Sequence, residues 1–267
     1  MTQYWLTKLA LATLLTNAAA PVALAQEAAP AGLKPLTFEV ATIKPTARTD
    51  GHFRLRPTAD GYSGDDISLF YLIQEAYGVY DKKFVTGGPP WIDNDKFDLE
   101  AKFDPAAIPN AKNLTNRQRG KMLQQMLQSL LAERFKLKVH YETKEFPIYN
   151  LVIAKGGPKL KESDPASLDP AVPGCYVSRS GYHGCTTLAL TDWLRASGRT
   201  VIDKTGLTGR YDFTLSYSDL DTPADSPVAA RPSIFTALQE QLGLKLEPST
   251  ALLDVLVIDS AEKPSDN

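Results

Sequence analysis

Strict alternation of apolar and polar residues marks two eight-residue stretches, "KFDLEAKF" at 96–103 and "RYDFTLSY" at 210–217. A period of two predicts half-buried strands. Phe97, Leu99, Ala101 and Phe103 are expected on the inner face of the first, and Tyr211, Phe213, Leu215 and Tyr217 on that of the second. Both open on a basic residue, an aromatic and an aspartate: Lys96-Phe97-Asp98 and Arg210-Tyr211-Asp212. Ahead of each octet the period lengthens to that of a helix. In "SLFYLIQEAYG", Ser68 is read as the N-cap, Leu69, Leu72, Ile73 and Ala76 as the buried stripe, and Gly78 as the stop. In "TLALTDWLRASG", Thr187 is read as the cap, Leu190, Trp193 and Leu194 as the stripe, and Gly198 as the stop. Strand-like "KFVTG" and "RTVID" lie between helix and octet.

The likeness continues beyond the octets. A second helix is predicted in "TNRQRGKMLQQMLQSLLAERF", where Thr115 and Gln118 match a capping box and Met122, Leu123, Met126, Leu127, Leu130 and Leu131 form a broad stripe. Its counterpart, "PSIFTALQEQLG", has Ser233 as cap and Ile234, Leu238 and Leu242 as stripe. "LLAERFKLKV" then aligns with "ALQEQLGLKL" without a gap, and a last strand follows each, "IYNLVIA" and "LLDVLVI". The expected fold is α+β: two similar modules, each strand(s)-helix-strand-strand-helix-strand-strand, with helices packed on a small mixed or antiparallel sheet. The modules are expected at 36–156 and 175–262, joined by a Pro/Gly-rich linker at 157–174 and followed by a tail at 263–267.

Composition adds a compartment. The opening "MTQYWLTKLALATLLTNAAAPVALA" has a short polar start, an apolar run and a small-x-small ending, the pattern of a signal peptide cleaved between Ala25 and Gln26. Residues 26–35 read as a linker. The expectation is an exported protein, periplasmic or extracellular, and one that does not span a membrane, because the apolar run is too short. The only two cysteines, Cys175 and Cys185 in "GCYVSRSGYHGC", predict a disulfide in that setting, ahead of a metal site with His183. A net charge of −2 supplies no basic field for a nucleic acid.

Several quoted segments carry a resemblance: "FEVATIKP", "LIQEAYGV", "GGPPWIDNDKFDLEAKF", "LLAERFKLKVHYETKE", "VIDKTGLTGRYDFTL", "SIFTALQEQLGLKLE" and the closing "LDVLVIDSAEKPSDN". The chain resembles the secreted, so-called soil-associated bacterial protein family, over nearly all of the region after residue 25. That resemblance implies export and brings no established activity. The modules are also similar, in element order, to the small α+β domains at the N-termini of secretins and TonB-dependent transducers, which implies docking to another protein.

A search for catalytic parts finds no G-x-S-x-G, no HExxH and no phosphate- or dinucleotide-binding glycine pattern. His140 is expected on the solvated face of its strand and His183 at the hairpin tip; His52 has no carboxylate at a telling spacing. The acidic clusters "DNDKFDLE" and "SDLDTPAD" read as solvated turns, so no metal and no cofactor is expected. Asp98 and Asp212 are assigned a structural role at strand entry, with a catalytic pair as the sharper alternative. The expected function is a non-enzymatic interaction module whose partner is another extracytoplasmic or envelope protein. The alternatives are a carrier or sensor of a small ligand held between the modules, and a hydrolase of unrecognised type. Candidate binding residues are Trp91, Asp98, Trp193, Arg210, Tyr211 and Asp212.

Overall fold

A computed structural model describes residues 36–47, 53–108, 113–168, 175–178, 181–218 and 230–264. The signal-peptide and first linker segments therefore lie outside the described residues, as does His52. Two long strands dominate, β6 (Lys138–Ile153) and β12 (Leu244–Ser260). The remaining elements of the first half are β1 (Val40–Pro45), β2 (Arg54–Pro57), β3 (Gly61–Ser68), α1 (Leu69–Tyr77), β4 (Val85–Gly87), α2 (Trp91–Asn94), β5 (Lys96–Lys102) and α3 (Asn116–Arg134). Those of the second are β7 (Lys161–Glu162), β8 (Tyr176–Ser178), β9 (Gly181–Cys185), α4 (Thr187–Trp193), β10 (Thr200–Asp203), β11 (Tyr211–Phe213) and α5 (Ile234–Ala237). The fold is α+β.

Three four-stranded sheets result, with orders β1-β5-β3-β2, β7-β11-β9-β8 and β10-β6-β12-β4. The first two are antiparallel and match position for position. Even single bonds correspond: the Thr46 N–H donates to the Lys96 carbonyl at 3.0 Å, and the Ser163 N–H to that of Arg210 at 2.8 Å. The third sheet is built by both halves. Its centre is the antiparallel β6–β12 pair, flanked by β10 parallel to β6 and β4 parallel to β12.

This shared sheet has an internal two-fold. The ungapped alignment puts Leu131 opposite Leu238, an offset of 107 (238 − 131). Glu145 pairs with Leu252, whose offset is the same 107 (252 − 145), so here cross-strand partner and sequence counterpart coincide. On either side of this point each half of β6 is mirrored by the opposite half of β12. Ile148 and Val255, counterparts by that offset, are 1% and 0% exposed.

The sequence predicts two strands after each second helix; the structure joins them into one. "HYETKEF" contains no turn-forming residue, Pro147 after it stays within the strand opposite Thr250, and the charged side chains are tolerated because Tyr141, Glu142, Thr143, Lys144 and Glu145 are exposed. A second difference concerns the octet at 210–217. The expected strand stops at Phe213, because β7 offers only two residues and β9 is short. Beyond it, the Gln241 side chain replaces a strand partner, accepting from the Ser216 N–H at 2.9 Å and donating to its carbonyl at 2.8 Å.

Local signals place the helices. Ser68 Oγ accepts from the Tyr71 N–H at 3.2 Å to start α1, which ends at Gly78 in the left-handed region. The Thr115–Gln118 capping box forms, with Thr115 Oγ1 accepting from the Gln118 N–H and Gln118 Oε1 from the Thr115 N–H. Ser233 caps α5, which runs on through a π turn to Gly243. The cap of α4 is Thr186 rather than the expected Thr187, whose hydroxyl donates instead to the Asp203 carboxylate.

Each half supplies residues to the core of the other. Leu256 and Ile258 of β12, 0% and 2% exposed, pack with α1 and α3 in the first core. Leu151 of β6, 0% exposed, packs with α4 and α5 in the second. Leu256→Ala is accordingly expected to cost about 2–5 kcal/mol. A chain ending at residue 156, deprived of β12, is expected to lose cooperative unfolding of the first core; urea denaturation followed by near-UV circular dichroism checks both.

Candidate binding site

The repeated aspartates sit at equivalent irregularities. In the first half the β3–β5 register shifts between Gly64 and Ile67, and in the second the β9–β11 register shifts between Tyr211 and Phe213. At each bulge one residue turns left-handed, Asp66 with φ 57° and Gly184 with φ 64°. Asp98 Oδ1 accepts from the Asp66 N–H at 3.0 Å, and Asp212 Oδ1 from the Gly184 N–H at 2.9 Å. The shared aspartate thus satisfies the donor that the extra residue leaves outside the ladder.

The Asp66 bulge lines the first of three pockets that share lining residues and are together called the furrow. A cavity of about 210 Å³ is lined by Phe53, Asp66, Ser68, Tyr71 and Lys96. Lys96 also walls the next, of about 490 Å³, with Pro45, Thr46, Asp95, Phe97, Lys263 and Pro264. Lys263 and Pro264 in turn border a third, of about 310 Å³, with Glu133, Arg134, Lys136 and Glu262. Lys263 is fixed by Asp95 at 2.7 Å and lies 5.8 Å from the centre of the Trp91 ring, which stacks on Phe135. The furrow is therefore an alternation of cations, carboxylates, aromatic rings and prolines.

Around the second bulge the chemistry differs. The Cys175–Cys185 disulfide forms and ties β9 to the start of the β8 hairpin arm. Ser178 Oγ lies 2.9 Å from His183 Nε2, a nucleophile–base contact in outline. His183 Nδ1, however, is 4.0 Å from Asp212 Oδ1, beyond hydrogen-bond reach, and that oxygen already accepts from Ser163 and Gly184. The Ser163 hydroxyl holds the Asp212 carboxyl below its ordinary range, burial opposes this, and the Gly184 N–H and the charges of His183 and Lys161 add to the lowering.

Of the sequence-predicted residues, Trp91 and Asp98 belong to the first half. Trp193, Arg210, Tyr211 and Asp212 belong to the second, where Trp193 packs on Tyr182 at 4.6 Å and Tyr182 stacks on Phe213 at 5.0 Å. Tyr211 is a core residue, 6% exposed. The furrow residues Phe53, Asp66, Tyr71, Lys96 and Lys263 escape a motif search. The usable signal was internal: the duplicated bulge carries glycine in one copy, Gly184, and aspartate in the other. One S-x-x-K string, Ser260 to Lys263, does occur, but Ser260 ends a strand and Lys263 is held by Asp95.

His140 is half exposed and bonded through Nδ1 to Asp259 at 2.8 Å and through Nε2 to Glu142 at 3.3 Å. These bonds, Asp259 first, raise its pKa above the ordinary imidazole value, against a small opposing effect of desolvation. No cluster of three metal-ligating side chains is present among the described residues, and no described helix is long and apolar enough to cross a membrane.

The family model described as "Protein of unknown function (DUF3738)" matches residues 71–261. The chain belongs to that family. No curated protein and no solved structure matches it. The DUF3738 match runs from α1 to the end of β12 and so takes in most of both halves and the strands that interlock them. In this DUF3738 protein the disulfide fits an oxidising, extracytoplasmic setting.

Two outcomes are expected. Asp98→Ala is expected to destabilise by roughly 1–3 kcal/mol, as for a hydrogen bond to a charged group, and Asp98→Asn by less because an acceptor remains; urea midpoints at neutral pH measure both. With its folded pKa depressed, Asp212 contributes stability above the unfolded carboxyl pKa and loses it as pH falls through the folded value. Asp212→Asn is therefore expected to flatten the acid limb of a plot of midpoint against pH. For His140 the sign is reversed: its contribution is present below the unfolded imidazole pKa and lost as pH rises through the folded one. NMR titration is expected to show the raised value, falling toward normal in Asp259→Asn.

Proposed function

We propose that this DUF3738 protein is an exported interaction module that holds a segment of another envelope protein in the furrow running past Lys96 and Lys263. The observation that carries this reading is the succession of three adjoining cavities joined by shared walls at Lys96 and at Lys263–Pro264. Alternating charges with aromatic and proline walls suit an extended polypeptide, which brings polar backbone and mixed side chains together. The cleavable leader expected at 1–25 and the disulfide support an extracytoplasmic setting. The resemblance to the soil-associated family, and the likeness of the modules to the docking domains of secretins and TonB-dependent transducers, support the same direction by analogy.

Three of the sheet margins are poorer docking places. β2 carries Arg54, Arg56 and Pro57, β1 ends in Lys44 and Pro45, and β7 consists of Lys161 and Glu162. Charge and proline on outer strands disfavour addition of a foreign strand. The test places a photocrosslinking residue at Thr46 or Pro264 and exposes the protein to envelope extract. One recurrent crosslinked partner is expected from these positions, absent when the crosslinker stands at exposed Leu188 of α4, and reduced at least tenfold by Lys96→Glu with Lys263→Glu. Crosslinking indifferent to position and charge reversal would overturn the proposal.

A further inference from the structure

Asp66 occupies the left-handed region at φ 57°, where glycine is the default and a side chain is strained. The bulge does not require an aspartate. Its counterpart in the second half has the same backbone turn at φ 64° and the same N–H to carboxylate bond, with Gly184 in place of Asp66. The first half therefore keeps a strained side chain where the fold accepts none.

That side chain is also unpartnered. Asp66 is 7% exposed, and no donor or cation among the described residues meets its carboxylate; its one hydrogen bond is made by its backbone N–H. Its oxygens keep contact with solvent in the cavity of about 210 Å³ that Asp66 lines, so a ligand entering there meets a carboxylate with open acceptor sites. Lys96, which also lines the cavity, makes no ion pair with Asp66: its ammonium donates to the Asp93 carbonyl at 3.0 Å. Phe53 and Tyr71, edge to face with centroids 5.1 Å apart, close the rest, and Phe53 is 56% exposed at the mouth.

We infer that this cavity is a receptor for one cationic side chain, lysine or arginine, of the polypeptide held in the furrow; the inference rests on the function proposed above. An ammonium or guanidinium carries its own donors for Asp66, and the aromatic walls favour a cation at their faces. A bare metal ion is a poor match, since calcium takes about six to eight oxygen ligands and the cavity offers one carboxylate and the Ser68 hydroxyl. Asp98 acts as a positioning residue, holding the Asp66 backbone in the turn that aims the carboxylate inward.

The test titrates the chain from Gln26 onward, isotope-labelled, with acetyl-Gly-Lys-Gly-amide, its arginine analogue and its norleucine analogue, followed by NMR. The cationic peptides are expected to shift the Phe53, Asp66 and Tyr71 amides saturably in the millimolar range, and norleucine to bind at least tenfold more weakly. Asp66→Asn and Asp66→Gly are each expected to lose at least tenfold. Asp66→Gly, which copies Gly184, is expected to melt no lower than the parent, so that lost binding there is not lost folding. Equal binding of norleucine, or full binding by either variant, would overturn the inference. Cationic peptides bound without any furrow-crosslinked partner would remove the proposed function and leave this site standing. A furrow-crosslinked partner unaffected by Asp66→Asn would do the reverse.

Discussion

The ladder between β6 and β12 is the contact on which the two cores depend. It runs from Leu244–Ile153 at one end to Ser260–Lys138 at the other, and each strand passes from one core into the other. Leu256 and Ile258 complete the first core and Leu151 the second. At roughly 1.5–3 kcal/mol for each large buried side chain, such an exchange is a sizeable part of a stability of about 5–15 kcal/mol. The hydrogen bonds of a common sheet therefore set the angle between the halves.

Duplication gives the structure an internal control. Features present in both copies are those the backbone needs: the caps, the ladder order, and an aspartate receiving the N–H at a bulge. Features present in one copy need a separate reason. In the second copy these are the disulfide and the Ser178–His183 contact; in the first they are the aspartate at the bulge and the furrow beside it. The one-sided features divide the labour, with the second copy stapled and the first left open.

Period and caps made most of this legible from residues alone. The apolar stripes of α1 and α3, the Thr115–Gln118 box and the inward faces of the first octet all follow from local physics. Sequence signals failed where the deciding partner is distant. Nothing near Glu145 announces that Leu252 lies opposite, so one continuous strand was read as two. Nothing in "RYDFTLSY" shows that β7 is too short to support its far end. Thr186 and Thr187 are both good caps, and only Asp203, sixteen positions away, decides between them. Asp66 reads as an ordinary polar residue until its counterpart is seen to be glycine. Strand alternation puts His140 at the surface, but its clasp to Asp259 joins residues 119 positions apart.

The separation of the long strands also bears on how the chain reaches its native state. Residues that face each other in the β6–β12 ladder are between 91 (244 − 153) and 122 (260 − 138) positions apart. Contacts of such span form late, because a large loop must close before any reward is collected. During synthesis β6 emerges with both flanks bare, because its neighbours β10 and β12 belong to the second half and must first be made. During that interval its backbone donors and acceptors are open to any passing strand, a copy of itself included. Protection of the nascent chain thus becomes a condition for yield, and truncated products should be sticky rather than merely unfolded.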